Sequence, residues 1–226
     1  MPIGTFINIA AVLIGGTLGL LLRKNFPENI KTIVFQGLGL CTLLIGMQMA
    51  LQVKDPLVLI FSILIGGVLG ELAHLDKRIE NMSNALKSKL KFKDQGFTEG
   101  LVTAFLIFCI GSMTIVGALN EGISSDKSLL LTKSMLDGFT SIALASTFGV
   151  GVLFSVIPML IFQGGLTVFA GQFQSLFSQV LLAQLTATGG VLILGIGLNL
   201  LEIKSIKVIN FLPSLLVVVL LTSLFL

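Results

Sequence analysis

LVTAFLIFCIGSMTIVGAL, residues 101–119, holds no charge and no proline, and its apolar residues do not alternate with polar ones. About 20 such residues wound as a helix cross the hydrocarbon core of a bilayer, whereas a membrane strand needs only about ten that alternate. The stretch predicts a membrane helix and closes the β-barrel option.

Runs of the same kind recur on both sides of it, separated by turn or charge signals. Of the 226 residues 54% are hydrophobic and 11% charged, and mean hydropathy is +1.04, while soluble domains are roughly a quarter charged. The expected fold is all-α, a polytopic transmembrane bundle forming one integral membrane domain over residues 1–226. The spans read as 3–22, 32–51, 56–73, 98–119, 134–156, 158–173, 176–201 and 206–226. The sixth is short, opens on Pro158 and carries Gly164, Gly165 and Gly171. Eight spans, or seven plus a re-entrant segment, both fit.

Arg23 and Lys24 follow the first run and nothing basic precedes it, the reverse of a secretory signal. Together with Lys31, the basic stretch at 74–93, Lys204 and Lys207, they place both termini outside by the positive-inside rule. HLDKRIENMSNALKSKLKFK (74–93) spaces Leu75, Ile79, Met82, Leu86 and Leu90 at helical intervals. It is expected to lie on the cytoplasmic membrane surface. Cys41 and Cys109 both fall in apolar runs and read as small buried hydrophobes rather than a disulfide.

LIGGTLGLL (13–21) and LIGGVLGEL (64–72) are nearly one phrase, and TGGVLILGIGL (188–198) is a looser third copy. Either the chain carries repeated helix pairs, or Gly15, Gly16, Gly19, Gly66, Gly67, Gly70, Gly189 and Gly190 let helices approach closely. The two readings are compatible.

No protease, hydrolase or nucleotide motif is present, and no Cys/His cluster has metal-ligand spacing. The chain is therefore expected to be no enzyme, to use no cofactor or metal, and to bind no nucleic acid. From Gly138 to Leu201 there is no ionisable side chain at all. At the door of that tract stands TKSMLDG, with Lys133 and Asp137 at i,i+4 and Thr140 and Ser141 continuing their face. A charge at the bilayer centre costs about 2.5–3.5 kcal/mol on insertion scales, so Asp137 needs a partner or a wet cavity. Lys133 is the nearest partner. The pair is either a clamp at the helix mouth or the entry to a polar path. Ser146, Thr147, Thr186 and Thr188 beside glycines, Gln163 at membrane depth, and Glu71 at the end of the second glycine phrase are the other candidate ligands. Gln36, Gln184 and Asn199 add neutral polar groups.

The whole chain resembles the prokaryotic DUF554 family of membrane proteins, also called YdfK-like or YqgA-like. The resemblance rests on MPIGTFIN, LIGGVLGEL, FTEGLVTAFLIFCIGSMTIVGAL, LLTKSMLDGFTSIALASTFGVGVLFS, IPMLIFQGG and GGVLILGIGLNLLEIKSIKVINFLP. It implies a multi-pass protein of the prokaryotic cell membrane, loosely described as a transporter. Two functions follow as expectations. One is a transporter or channel for a small ion or polar solute, with the lipid bilayer and a second copy of the chain as partners. The other is a non-transporting scaffold or sensor acting through oligomerisation and the basic segment.

Overall fold

The computed structural model describes residues 2–25, 28–81, 96–173 and 178–225. It is helical, with no strand among the described residues. The longer helices are α1 (Ile3–Asn25), α2 (Glu28–Ala50), α3 (Pro56–Leu72), α5 (Phe97–Cys109), α6 (Ser112–Ser124), α7 (Ser128–Phe148), α12 (Gln179–Leu200) and α13 (Ser214–Phe225). A short α4 (Leu75–Asn81) follows α3 at a 56° bend. Between α7 and α12 the chain is an irregular helix in four pieces: α8 (Gly151–Phe154), α9 (Val156–Met159), α10 (Gly165–Val168) and α11 (Ala170–Phe173). A π turn at Leu160–Gly164 interrupts it. Most of the basic segment, residues 82–93, lies outside the described residues.

Contacts divide the chain into two compact units, Met1–Val34 with Asp94–Phe177, and Phe35–Lys93 with Ser178–Leu226. In the first, α1 lies along α7. Gly4 meets Leu130, Ala11 meets Gly138, Gly15 meets the Gly138 carbonyl and Ser141, and Gly19 meets the Ile142 carbonyl and Ala145. The matched positions rise together, so the two helices run the same way. A Cβ on Gly15 or Gly19 would strike backbone atoms, which is why this face is built of small residues. Gly16 packs on Leu153. Phe97, Phe108, Phe148 and Met159 fill the interior of the unit.

In the second unit the same device runs antiparallel. Gly66, Gly67 and Gly70 seat Ser214, Phe211 and the Asn210 carbonyl, while Gly190 and Gly197 seat Ala50 and Leu43 of α2. Gly189 is buried beside Gly190 in α12. α3 starts on Pro56 after the N-cap Asp55, whose carboxylate accepts from the Leu57 and Val58 amides.

Four described stretches are long and apolar enough to cross a membrane: Ile3–Arg23, Gly151–Val168, Gln179–Leu200 and Val208–Phe225. The bent pairs α3–α4 and α5–α6 raise the number to six, against the eight expected from the sequence. The two that fall short are the second and the fifth, and three boundaries also move. The span at 98–119 breaks at Ile110–Gly111, where the chain turns by 58°. The span at 134–156 instead begins at Ser128 and ends before Gly149, whose φ of 82° suits a residue without a Cβ. The span at 158–173 begins at Gly151, so Pro158 sits inside it rather than at its start. In the second span, the apolar helix among the described residues is the shorter Gly39–Ala50. Cys109 is buried, but Cys41 lies on the exterior of α2.

Candidate functional site

α7 carries Lys133 five residues and Asp137 nine residues past its first residue, roughly 13 Å in at ~1.5 Å per residue. Both lie inside the helix, which begins at Ser128 rather than at the expected Ser134. Met135, Leu136 and Phe139 face outward, while Lys133, Ser134, Asp137, Ser141 and Leu144 face the interior of the unit. α7 is thus apolar outside and polar inside, the arrangement membrane helices adopt when they carry charge. Lys133 is 6% and Asp137 4% exposed. The ammonium donates to both carboxylate oxygens, at 2.8 Å to Oδ1 and 2.7 Å to Oδ2, and lies 5.9 Å from the centre of the Phe108 ring. Removing one member of so buried a pair would leave a charge without a partner.

Three other elements converge on this pair. From α1, Asn8 donates its Nδ2 to Asp137 Oδ2 at 2.9 Å and to Gln163 Oε1 at 3.2 Å. Gln163 rides the π turn. Pro158 has no N–H to donate, and the wider turn follows two residues later. Phe108 comes from the end of α5, just before the α5–α6 break. There the Thr114 hydroxyl donates to the Phe108 carbonyl at 2.8 Å, replacing part of the lost helical ladder. Broken or widened helices at membrane depth are tolerated where protein or a cavity re-satisfies the backbone.

The cluster is not saturated. Asn8 Oδ1, Gln163 Nε2 and the Thr5 hydroxyl have no hydrogen-bonding partner among the described residues, and all three residues are fully buried. Thr5 precedes Asn8 by one turn, and its methyl lies 3.8 Å from where a Cβ on Gly164 would stand. An unpartnered buried polar atom costs about 1–3 kcal/mol. Two of the three sit on amides that touch or neighbour the ion pair, and the third lies one turn away on α1.

The remaining candidates separate clearly. Ser141 donates to Gly138 and Ser146 to Ala143 on their own helix, both beside α1 glycines. Thr140 is half-buried on the same helix, and Thr147 is buried with its hydroxyl unpartnered among the described residues. Thr186 and Thr188 belong to the second unit. Thr188 donates back to Gln184, and the Thr186 hydroxyl has no described partner. Glu71, also in the second unit, is exposed and pairs with Lys207 at 2.9 Å and with Asn210 Nδ2 at 2.6 Å. Those contacts make it an ion-pair anchor. Asn8, Thr5 and Glu121 went unread in the sequence. The only signal for Asn8 was an amide inside an otherwise apolar run. Glu121 Oε1 accepts the Gly4 amide at 2.8 Å, which places a carboxylate at the positive end of α1, while its Oε2 is buried with no hydrogen-bonding partner among the described residues.

The cluster thus gathers a carboxylate, an ammonium and two amides, with the Thr5 hydroxyl one turn from Asn8 on α1. A family model described as "Protein of unknown function (DUF554)" matches residues 3–223. "Uncharacterized membrane protein YdfK" of Bacillus subtilis (strain 168) is 37% identical over 95% of this chain and 93% of its own. "Uncharacterized protein YqgA" of Escherichia coli (strain K12) is 35% identical over 96% of this chain and 94% of its own. No solved structure gives a significant match.

Proposed function

The chain belongs to the DUF554 family of membrane proteins, and from its Lys133–Asp137 cluster we propose that it is a transporter or channel for a small ion or polar solute. The observation that carries this reading is the unsaturated polarity around a fully buried ion pair. A clamp that only stabilised the fold would have its amides paired, as buried polar groups generally are. The broken α5–α6 helix and the π turn support it, because discontinuous helices build the sites of many transporters.

We further infer that α2 and α7 cross the membrane, giving the eight crossings expected from the sequence. The outward face of Met135, Leu136 and Phe139 supports this for α7, and the apolar stretch Gly39–Ala50 supports it for α2. The cell membrane with the N-terminus outside, and a common origin for the three glycine phrases, belong to the same proposal.

A thermal-shift screen of the purified protein against inorganic ions, pH and small charged metabolites tests it, run beside Asp137→Asn. A ligand that binds only the folded state raises its stability by mass action. At least one ligand is expected to stabilise the wild type and not the variant, and to pass through proteoliposomes carrying the wild type. Binding without flux would turn the protein into a sensor, and no ligand distinguishing the two proteins would remove the site.

A further inference from the structure

Resting on that reading, we propose that the ligand is a small, hard, monovalent cation. It takes Asp137 over from the Lys133 ammonium, with Asn8 Oδ1 and the Thr5 hydroxyl as neutral oxygen ligands. The ammonium already occupies both carboxylate oxygens, at 2.8 and 2.7 Å. Lys133 is therefore the resident cation of the site, and any other cation must displace it, leaving the ammonium to the face of the Phe108 ring, 5.9 Å from its Nζ.

The donor set decides the class. A carboxylate, a primary amide and a hydroxyl offer oxygen only, which suits hard cations and disfavours soft metals. Asp137 is the carboxylate that the bonds of the cluster reach, while Glu121 caps α1 through the Gly4 amide, so the site supplies one negative charge where divalent sites gather several. An anion would have to sit beside Asp137, while the Lys133 ammonium, the positive charge that the described residues bring to the cluster, is already matched.

The amides explain how one site serves two states. Asn8 now turns its NH₂ toward Asp137 and Gln163 Oε1, which suits a carboxylate held by Lys133. A half-turn of the Asn8 amide brings Oδ1 to a cation on Asp137. A matching half-turn of the Gln163 amide lets its Nε2, unpartnered among the described residues, donate to that same Oδ1, since a carbonyl has two lone pairs. The Asn8–Gln163 bond survives with its polarity reversed. The three atoms left over in the ammonium-held state are engaged in the cation-held state, which in turn releases Asn8 Nδ2 and Gln163 Oε1.

The competition gives a signature that a simple binding residue would not. Melting of the purified full-length protein is followed against NaCl at fixed pH, with N-methyl-D-glucamine chloride holding ionic strength, and LiCl and KCl in parallel. Sodium or lithium is expected to stabilise the wild type saturably. Lys133→Gln should respond at about tenfold lower concentration or less, because close charge pairs couple by at least ~1.5 kcal/mol. Asp137→Asn should not respond. Thr5→Val should melt as the wild type does without sodium, since its hydroxyl bonds nothing there, yet respond several-fold more weakly. If Lys133→Gln or Asp137→Asn does not fold, Thr5→Val decides.

Loss of the cation response in Lys133→Gln, or a full response in Thr5→Val, overturns the displacement model. A small anion or neutral solute whose stabilisation disappears in both charge variants overturns the cation and leaves the binding site of the previous subsection standing. No shift from any probe overturns both.

Discussion

The two units use their buried amides in opposite ways. In the second, Gln184 accepts from the Lys54 and Asp55 amides at 2.9 and 3.2 Å and donates to the Asp55 carbonyl at 2.9 Å, closing the turn before α3. Asn199 bonds both the N–H and the carbonyl of Ile206. Asn210 accepts the Asp76 amide and donates to Glu71. Each amide has both ends engaged, mostly with backbone. In the first unit Asn8 and Gln163 bond side chains, and each keeps one end unengaged among the described residues. The same residue types thus divide into amides engaged at both ends and amides engaged at one, a difference that burial alone does not draw.

The largest test of that contrast is charge. Asp137→Asn leaves a buried ammonium without its counter-charge and is expected to cost about 3–5 kcal/mol in equilibrium unfolding of the detergent-solubilised protein. Lys133→Met with Asp137→Leu should recover most of that loss, because an apolar pair of similar volume often replaces a buried ion pair without penalty. A double variant no more stable than the single would mean the pair is held by something beyond its charges.

A smaller effect sharpens the comparison. Gln184→Leu strands two backbone amides and a carbonyl and should cost about 1–3 kcal/mol. Gln163→Leu removes one acceptor from an Asn8 that still bonds Asp137, and should cost less than about 1 kcal/mol. In ligand response the order should reverse, with Gln184→Leu behaving as wild type. Equal stability losses at the two positions would erase the distinction between the units.

The smallest effect lies at the exposed pair of the second unit. The hydrogen bond from Lys207 to Glu71 holds the Lys207 ammonium above its ordinary value. A raised folded value means the contribution is complete below about pH 10, the usual lysine range, and fades only as pH rises through the folded value. Lys207→Met should therefore leave melting unchanged from neutral pH upward to within error at physiological salt, since exposed pairs add little. A clear loss at neutral pH would promote this cluster from anchor to structural keystone.

Much of this was legible before the fold was seen. Twenty-residue apolar runs marked α1, α12 and α13, because hydrocarbon thickness sets their length. The i,i+4 spacing fixed the Lys133–Asp137 pair, and a glutamine in a chargeless tract flagged Gln163. The misplacements share a cause. A charge signals a boundary, so Lys133 puts the expected start of its span at Ser134, whereas the helix begins at Ser128. A proline signals a start, whereas Pro158 lies inside Gly151–Val168, two residues before a π turn. The α5–α6 break carried only Gly111 as a signal. Asn8 and Thr5 could not be tied to Asp137 at all, because their partners arrive through tertiary packing that no local pattern encodes.

Asn8 and Asp137 lie 129 positions apart in the chain, and each unit is assembled from two separated stretches. At about 5–20 residues per second of synthesis, α1 waits on the order of ten seconds for the helix it pairs with. During that wait its amide sits in the bilayer without the carboxylate that will receive it, and the glycine face prepared for α7 is bare. The cell's insertion machinery thus has an early customer that cannot finish folding until most of the protein has been made. Premature partners on that face are a hazard set by gene order as much as by chemistry.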